Sequence, residues 1–112
     1  MTHEAAAALL AEMTRVVVES VNPEQVLVFG SHARGDATAD SDVDLLVVES
    51  QPFGPTRSRR QELKRIRRAL SRFHVSKDVL VYSRAEVDRW KHSINHVVGN
   101  AYREGRVLYG HG

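Results

Sequence analysis

The sequence predicts a mixed α/β (α+β) domain, a small mixed sheet of about three to four strands flanked by helices. Three observations carry that prediction. Short runs rich in Val, Leu and Phe alternate with longer segments whose apolar residues recur every three or four positions. The short runs stop at Gly, Ser or Pro-containing turns, as strands do. The chain has 112 residues and is 42% hydrophobic, enough for one modest core, so residues 1–112 are read as a single domain.

Each element follows from its local pattern. Residues 2–20 read as a helix, with Leu9, Leu10, Met13, Val16 and Val17 on one stripe and Thr2 as the N-cap. Asn22-Pro23 breaks it, and residues 25–29 (QVLVF) form a strand that ends at Gly30-Ser31. A polar, small-residue stretch over 32–41 leads into a second strand at 42–49 (DVDLLVVE). Residues 50–56 hold Pro52, Gly54 and Pro55 and form a loop. Residues 57–73 are expected to be a long helix, burying Leu63, Ile66, Leu70 and Phe73 and turning its basic residues outward. A third strand covers 75–82, and Ser83 with Glu86 makes a capping box for a helix at 84–90. A last helix over 93–104 ends at Gly105, leaving 106–109 as a terminal strand or tail.

Composition removes several classes of function. With no cysteine there is no disulfide framework, thiolate nucleophile or Cys-ligated zinc. No apolar run approaches the roughly 18 residues of a membrane span, and the run 5–11 follows Glu4 rather than a basic start, so a cytoplasmic location is expected. The 16 basic and 14 acidic residues nearly cancel, but they are segregated. Residues 57–77 hold nine bases and one acid, Glu62, whereas the rest of the chain holds seven bases and 13 acids. Such a block reads first as a solvated helix face, and second as a surface for nucleic acid or an acidic partner.

The chemistry concentrates in GSHARGDATADSDVDLLVV, residues 30–48. On a strand, Asp42 and Asp44 project to the same side, roughly 7 Å apart along the chain. Adjacent carboxylates repel, and a hard divalent cation such as Mg²⁺ or Mn²⁺ relieves that repulsion. Gly30-Ser31, at the end of the preceding strand, allows close backbone approach to an anion, with the Ser31 hydroxyl and Arg34 able to add contacts. Asp78, an acid within an otherwise apolar strand, is explained by a shared metal. Competing motifs fail. Asp36-Ala37 replaces the Lys and Ser/Thr that a P-loop requires, and no G-x-G-x-x-G is present. His92 and His96 lack the intervening Glu of a zinc protease.

The pattern Gly30-Ser31, Arg34-Gly35, Ser41-Asp42-Val43-Asp44-Leu45 resembles the signature of the DNA polymerase β-type nucleotidyltransferase superfamily, most closely its minimal nucleotidyltransferase (MNT) branch. The likeness extends over the leading helix, Asp78 and the closing segment 101–109, and no catalytic position departs from the family pattern. The resemblance implies a polymerase β-like fold, with Asp42, Asp44 and Asp78 as catalytic metal ligands. Asp78 would also draw the proton from the attacking hydroxyl. Gly30, Ser31, Arg34 and Ser41 would contact ATP. The implied reaction is in-line attack of a hydroxyl on the α-phosphorus with release of pyrophosphate.

A chain of this size has no room for an acceptor-binding domain, so the acceptor is expected on a partner. In the resembled family that partner is a helical HEPN-type ribonuclease toxin. The expected role is therefore an antitoxin that transfers AMP from ATP to a toxin tyrosine. Two other readings remain: a nucleotide-binding module that neutralises its partner without turnover, and a nucleotidyltransferase acting on a small molecule or RNA.

Overall fold

The computed structural model describes residues 2–110. Nine elements follow in chain order: α1 (His3–Val21), β1 (Gln25–Phe29), α2 (Ser31–Arg34), β2 (Val43–Glu49), α3 (Arg59–Ala69), β3 (Lys77–Ser83), α4 (Arg84–Trp90), α5 (Val97–Glu104) and β4 (Arg106–Tyr109). The strands form one mixed sheet in the order β3-β2-β1-β4. β1 runs antiparallel to both β2 and β4, while β2 and β3 are parallel and joined through α3.

The period-two alternation of each strand splits the core between the sheet's two faces. Val26, Val28, Val43, Leu45, Val47, Val79 and Val81 pack against Leu10, Met13, Val16 and Val17 of α1 and against Ile66 and Leu70 beside α3. On the other face, Leu27, Leu46 and Val48 meet Val87 of α4 and Val98 and Ala101 of α5. β2 is therefore covered on both sides, which is why it reads as a continuous apolar run after Asp44.

The eight expected elements are present in the expected order; one more, the short α2, falls in the segment read as a polar stretch, and the other differences lie at element ends. α3 is shorter than the 57–73 expected. Arg57 is drawn out of the helix by its guanidinium, which donates to Gln51 O at 2.9 Å and to the Glu49 carboxylate, leaving Ser58 to cap through Gln61 N. At the other end Ser71 Oγ donates back to Arg68 O at 2.7 Å, where the helix stops. α5 begins at Val97 rather than 93, because His96 Nδ1 accepts from Val98 N at 3.1 Å as its N-cap. That ring also stacks on Trp90 at 4.6 Å, so His96 is a structural residue.

The expected capping box at Ser83 is present. Ser83 Oγ accepts from Glu86 N at 3.2 Å, and Glu86 Oε1 accepts from Ser83 N at 2.9 Å. The Glu86 carboxylate also pairs with Arg59, which donates to Val81 O at 2.7 Å, so one carboxylate ties α3, β3 and α4 together. Ser83→Ala is expected to lower the unfolding free energy by about 1 kcal/mol, read as a lower urea midpoint with an unchanged m-value.

At the sheet end where β2 finishes, Glu49 is buried beside Arg57 and Glu62, and among the described residues its Oε2 has no hydrogen-bond partner. Burial and the neighbouring Glu62 carboxyl push its pKa from 4.5 up to about 7, against the pull of Arg57. Folding thus favours the protonated form. This group's stabilising contribution is complete below pH 4.5 and is lost as pH rises through about 7. Glu49→Gln is expected to flatten this part of the stability decline, with a higher melting temperature than wild type at pH 8.

Candidate active site

Three strand ends meet at the opposite end of the sheet. β1 finishes at Phe29, while β2 and β3 begin there, and the register places Phe29, Asp44 and Asp78 in one cross-strand row. Neighbouring parallel strands lie about 4.8 Å apart, so two carboxylates face each other on the sheet face that carries Leu46 and Leu80. Asp78 is exposed at the strand's second residue, not enclosed within an apolar strand as its sequence context suggested. Asp42 is also exposed and stands one residue before β2, after a turn closed by Ser41 N donating to Thr38 O at 3.1 Å. It keeps the two-residue offset from Asp44.

Asp44 is half-buried at the centre of this group. Burial, then the charge of Asp78, then that of Asp42 raise its pKa above the ordinary 3.8, while His32 and Arg34 pull the other way. Asp44 therefore senses both of the other acids. Among the described residues, no three His, Asp or Glu side chains are gathered tightly enough to hold a metal ion by themselves. The donor set nevertheless fits a hard divalent cation that brings further oxygens from a polyphosphate: carboxylates only, mutually repulsive, and open on one side.

The corner between β1 and β2 supplies that open side. Gly30 has φ 72° and ψ −151°, a backbone conformation restricted to glycine. A Cβ built there would overlap Asp44 Oδ2, so glycine leaves a cradle directly against the central carboxylate. Ser31 opens the short α2, whose Ala33 and Arg34 amides both bond back to Gly30 O at 3.1 Å. Arg34 is exposed and reaches Asp36 at 3.4 Å. Ser41 Oγ is engaged locally, accepting from Thr38 N at 2.9 Å, which makes it a loop-closing residue in this arrangement.

One residue escaped the sequence reading. His32 lies inside the corner, is buried, and leaves Nδ1 without a hydrogen-bond partner among the described residues. Its charge acts on Asp44. The only signal in the sequence was its place between Ser31 and Arg34, in a segment read as polar loop.

The sequence profile of the nucleotidyltransferase domain matches residues 10–102. The chain belongs to the nucleotidyltransferase domain family. Solved structures agree on the fold. A protein from Sulfolobus solfataricus assigned as a nucleotidyltransferase is 23% identical with a TM-score of 0.61, over 96% of this chain and 83% of that one. A toxin–antitoxin crystallised with AMP-PNP is 17% identical with a TM-score of 0.56, over 90% of this chain and 73% of that one. A mutant of the toxin–antitoxin MntA-HpeT is 14% identical with a TM-score of 0.58, over 91% and 73%. No curated protein matches the sequence. Among the described residues, no helix of this nucleotidyltransferase is long and apolar enough to cross a membrane.

Proposed function

We propose that this nucleotidyltransferase is the antitoxin of a toxin–antitoxin pair and transfers AMP from ATP to a tyrosine hydroxyl of a HEPN-type ribonuclease toxin. The observation that carries the transferase reading is the pairing of Asp44 with Asp78 across β2 and β3, directly beside the Gly30 cradle. Two of the structural neighbours are toxin–antitoxin proteins. One was crystallised with an ATP analogue, and the mutant replaces two aspartates two positions apart, the offset of Asp42 and Asp44.

Asp42, Asp44 and Asp78 would hold Mg²⁺, with Mn²⁺ an equivalent hard cation. When bound, the cation neutralises the triphosphate and lowers the pKa of the attacking hydroxyl. Gly30 gives the phosphate tail backbone access, and the Ser31 hydroxyl donates to it. Asp78, the most open of the paired carboxylates, receives the proton from the tyrosine as its oxygen attacks the α-phosphorus and pyrophosphate leaves. Arg34 adds positive charge at the rim, and Ser41 fixes the loop that delivers Asp42.

The test uses the protein with Mg²⁺, ATP and the toxin encoded beside it, followed by intact-mass measurement of the toxin. The expected result is a toxin heavier by whole AMP units, localised to tyrosine, and absent with Asp78→Asn. A toxin of unchanged mass that is still neutralised would overturn transfer and leave neutralisation by binding alone.

A further inference from the structure

The long basic segment has no part in the site just described. Of its nine cations, Lys77 donates to Phe73 O at 2.7 Å and Val75 O at 3.0 Å, and the other eight divide into two groups. Arg57, Arg59, Arg65 and Arg72 meet carboxylates of Glu49, Glu62, Glu86 and Glu12. Arg60, Lys64, Arg67 and Arg68 are exposed and make no ion pair among the described residues. They fall at successive steps of four, three and one along α3, so they share one outward face about 12 Å long. Glu62, the helix's own acid, is turned away towards Arg57.

Like charges at these spacings repel, and each pair weakens the helix by a few tenths of a kcal/mol. α3 persists because Ile66 and the following Leu70 are fully buried against the sheet. The stripe is therefore tolerated by the fold without helping it. No exposed apolar or aromatic side chain lies on the α3 surface. A protein interface needs such anchors at its centre, whereas a phosphate backbone needs only cations.

We infer that the Arg60–Lys64–Arg67–Arg68 face of α3 binds the phosphate backbone of single-stranded RNA. A single convex helix face can track one strand, and it offers no residue set for reading base edges in a duplex groove. Position supports the same ligand. β3 is parallel to β2, so α3 must return the chain to the end of the sheet where β2 began, and its C-terminal turn lies at the same end as Asp78. A strand along α3 thus leads towards the edge strand that carries an active-site acid. The choice of RNA rests on the proposed pairing with a ribonuclease toxin, whose substrate is RNA; the binding itself does not.

Fluorescence anisotropy with an end-labelled 12-nucleotide RNA, without ATP or Mg²⁺, tests the inference separately from transfer. Four phosphate contacts predict that log K falls with log salt at a slope of about −3. Arg60→Gln with Lys64→Gln is expected to halve that slope. Arg60→Glu, Arg67→Glu and Arg68→Glu together are expected to abolish binding, with the circular-dichroism spectrum unchanged. Equal binding by wild type and either variant would overturn the assignment of this face. Tighter binding of polyglutamate would reassign it to an acidic protein, and tighter binding of the same sequence as DNA would overturn the choice of RNA.

Discussion

Asp44→Asn is expected to lower AMP transfer by about 10³-fold or more and, in the same protein, to raise the melting temperature without nucleotide. Both effects come from one carboxylate. In transfer, Asp44 is the central member of the acidic row, held between Asp78 across the strand and Asp42 two residues earlier. On the proposed reading, a neutral amide there would remove a hard anionic ligand from a site whose cation would supply several kcal/mol of transition-state stabilisation. In the resting fold the same charge is unfavourable, because Asp44 is half-buried and repelled by both neighbours.

The pH dependence separates this account from a generic surface effect. Folding raises the Asp44 pKa above 3.8, so its stabilising contribution is complete below that value and is lost as pH rises through the raised one. Melting curves of nucleotide-free wild type are expected to show that loss, and those of Asp44→Asn to lack it. Addition of Mg²⁺ and ATP then reverses the ranking, since only the wild type gains stability by binding. A variant that melts below wild type without nucleotide would contradict the electrostatic reading of the row.

The strands and the acidic pair were legible because both depend on local pattern. QVLVF and DVDLLVVE announce themselves by β-branched content and length, and the two-residue offset of Asp42 and Asp44 is a property of any extended chain. Less legible was whatever a distant side chain decides. Arg57 is a good helix former that leaves α3 because Glu49 and the Gln51 carbonyl bind it. Residues 93–96 stay outside α5 because Arg103 donates to Ser93 O and Ile94 O, holding that loop in turns. Asp78 was singled out for a burial that it does not have. It needs no metal to excuse burial, since it is exposed; what matters is its register opposite Asp44, which only the β2–β3 pairing reveals. His32 was invisible because nothing local tells a buried histidine from an exposed one.

Gly30→Ala tests whether the corner and the carboxylate row are one unit. The backbone at Gly30 has positive φ with ψ near the extended limit, so any side chain introduces strain of about 1–3 kcal/mol. The new methyl also meets Asp44 Oδ2, which must turn out of its position. The variant is therefore expected to be less stable and to lose most transfer activity even where it is folded. In an Asp44→Ala background the second penalty vanishes and only the backbone strain remains. The destabilisation by Gly30→Ala, measured by urea unfolding, should then be smaller than in wild type, with a coupling of about 0.5–3 kcal/mol. Additive losses would mean that Asp44 swings freely past the added methyl. The glycine would then serve only the turn, and the cradle against the central acid would have no role in placing it.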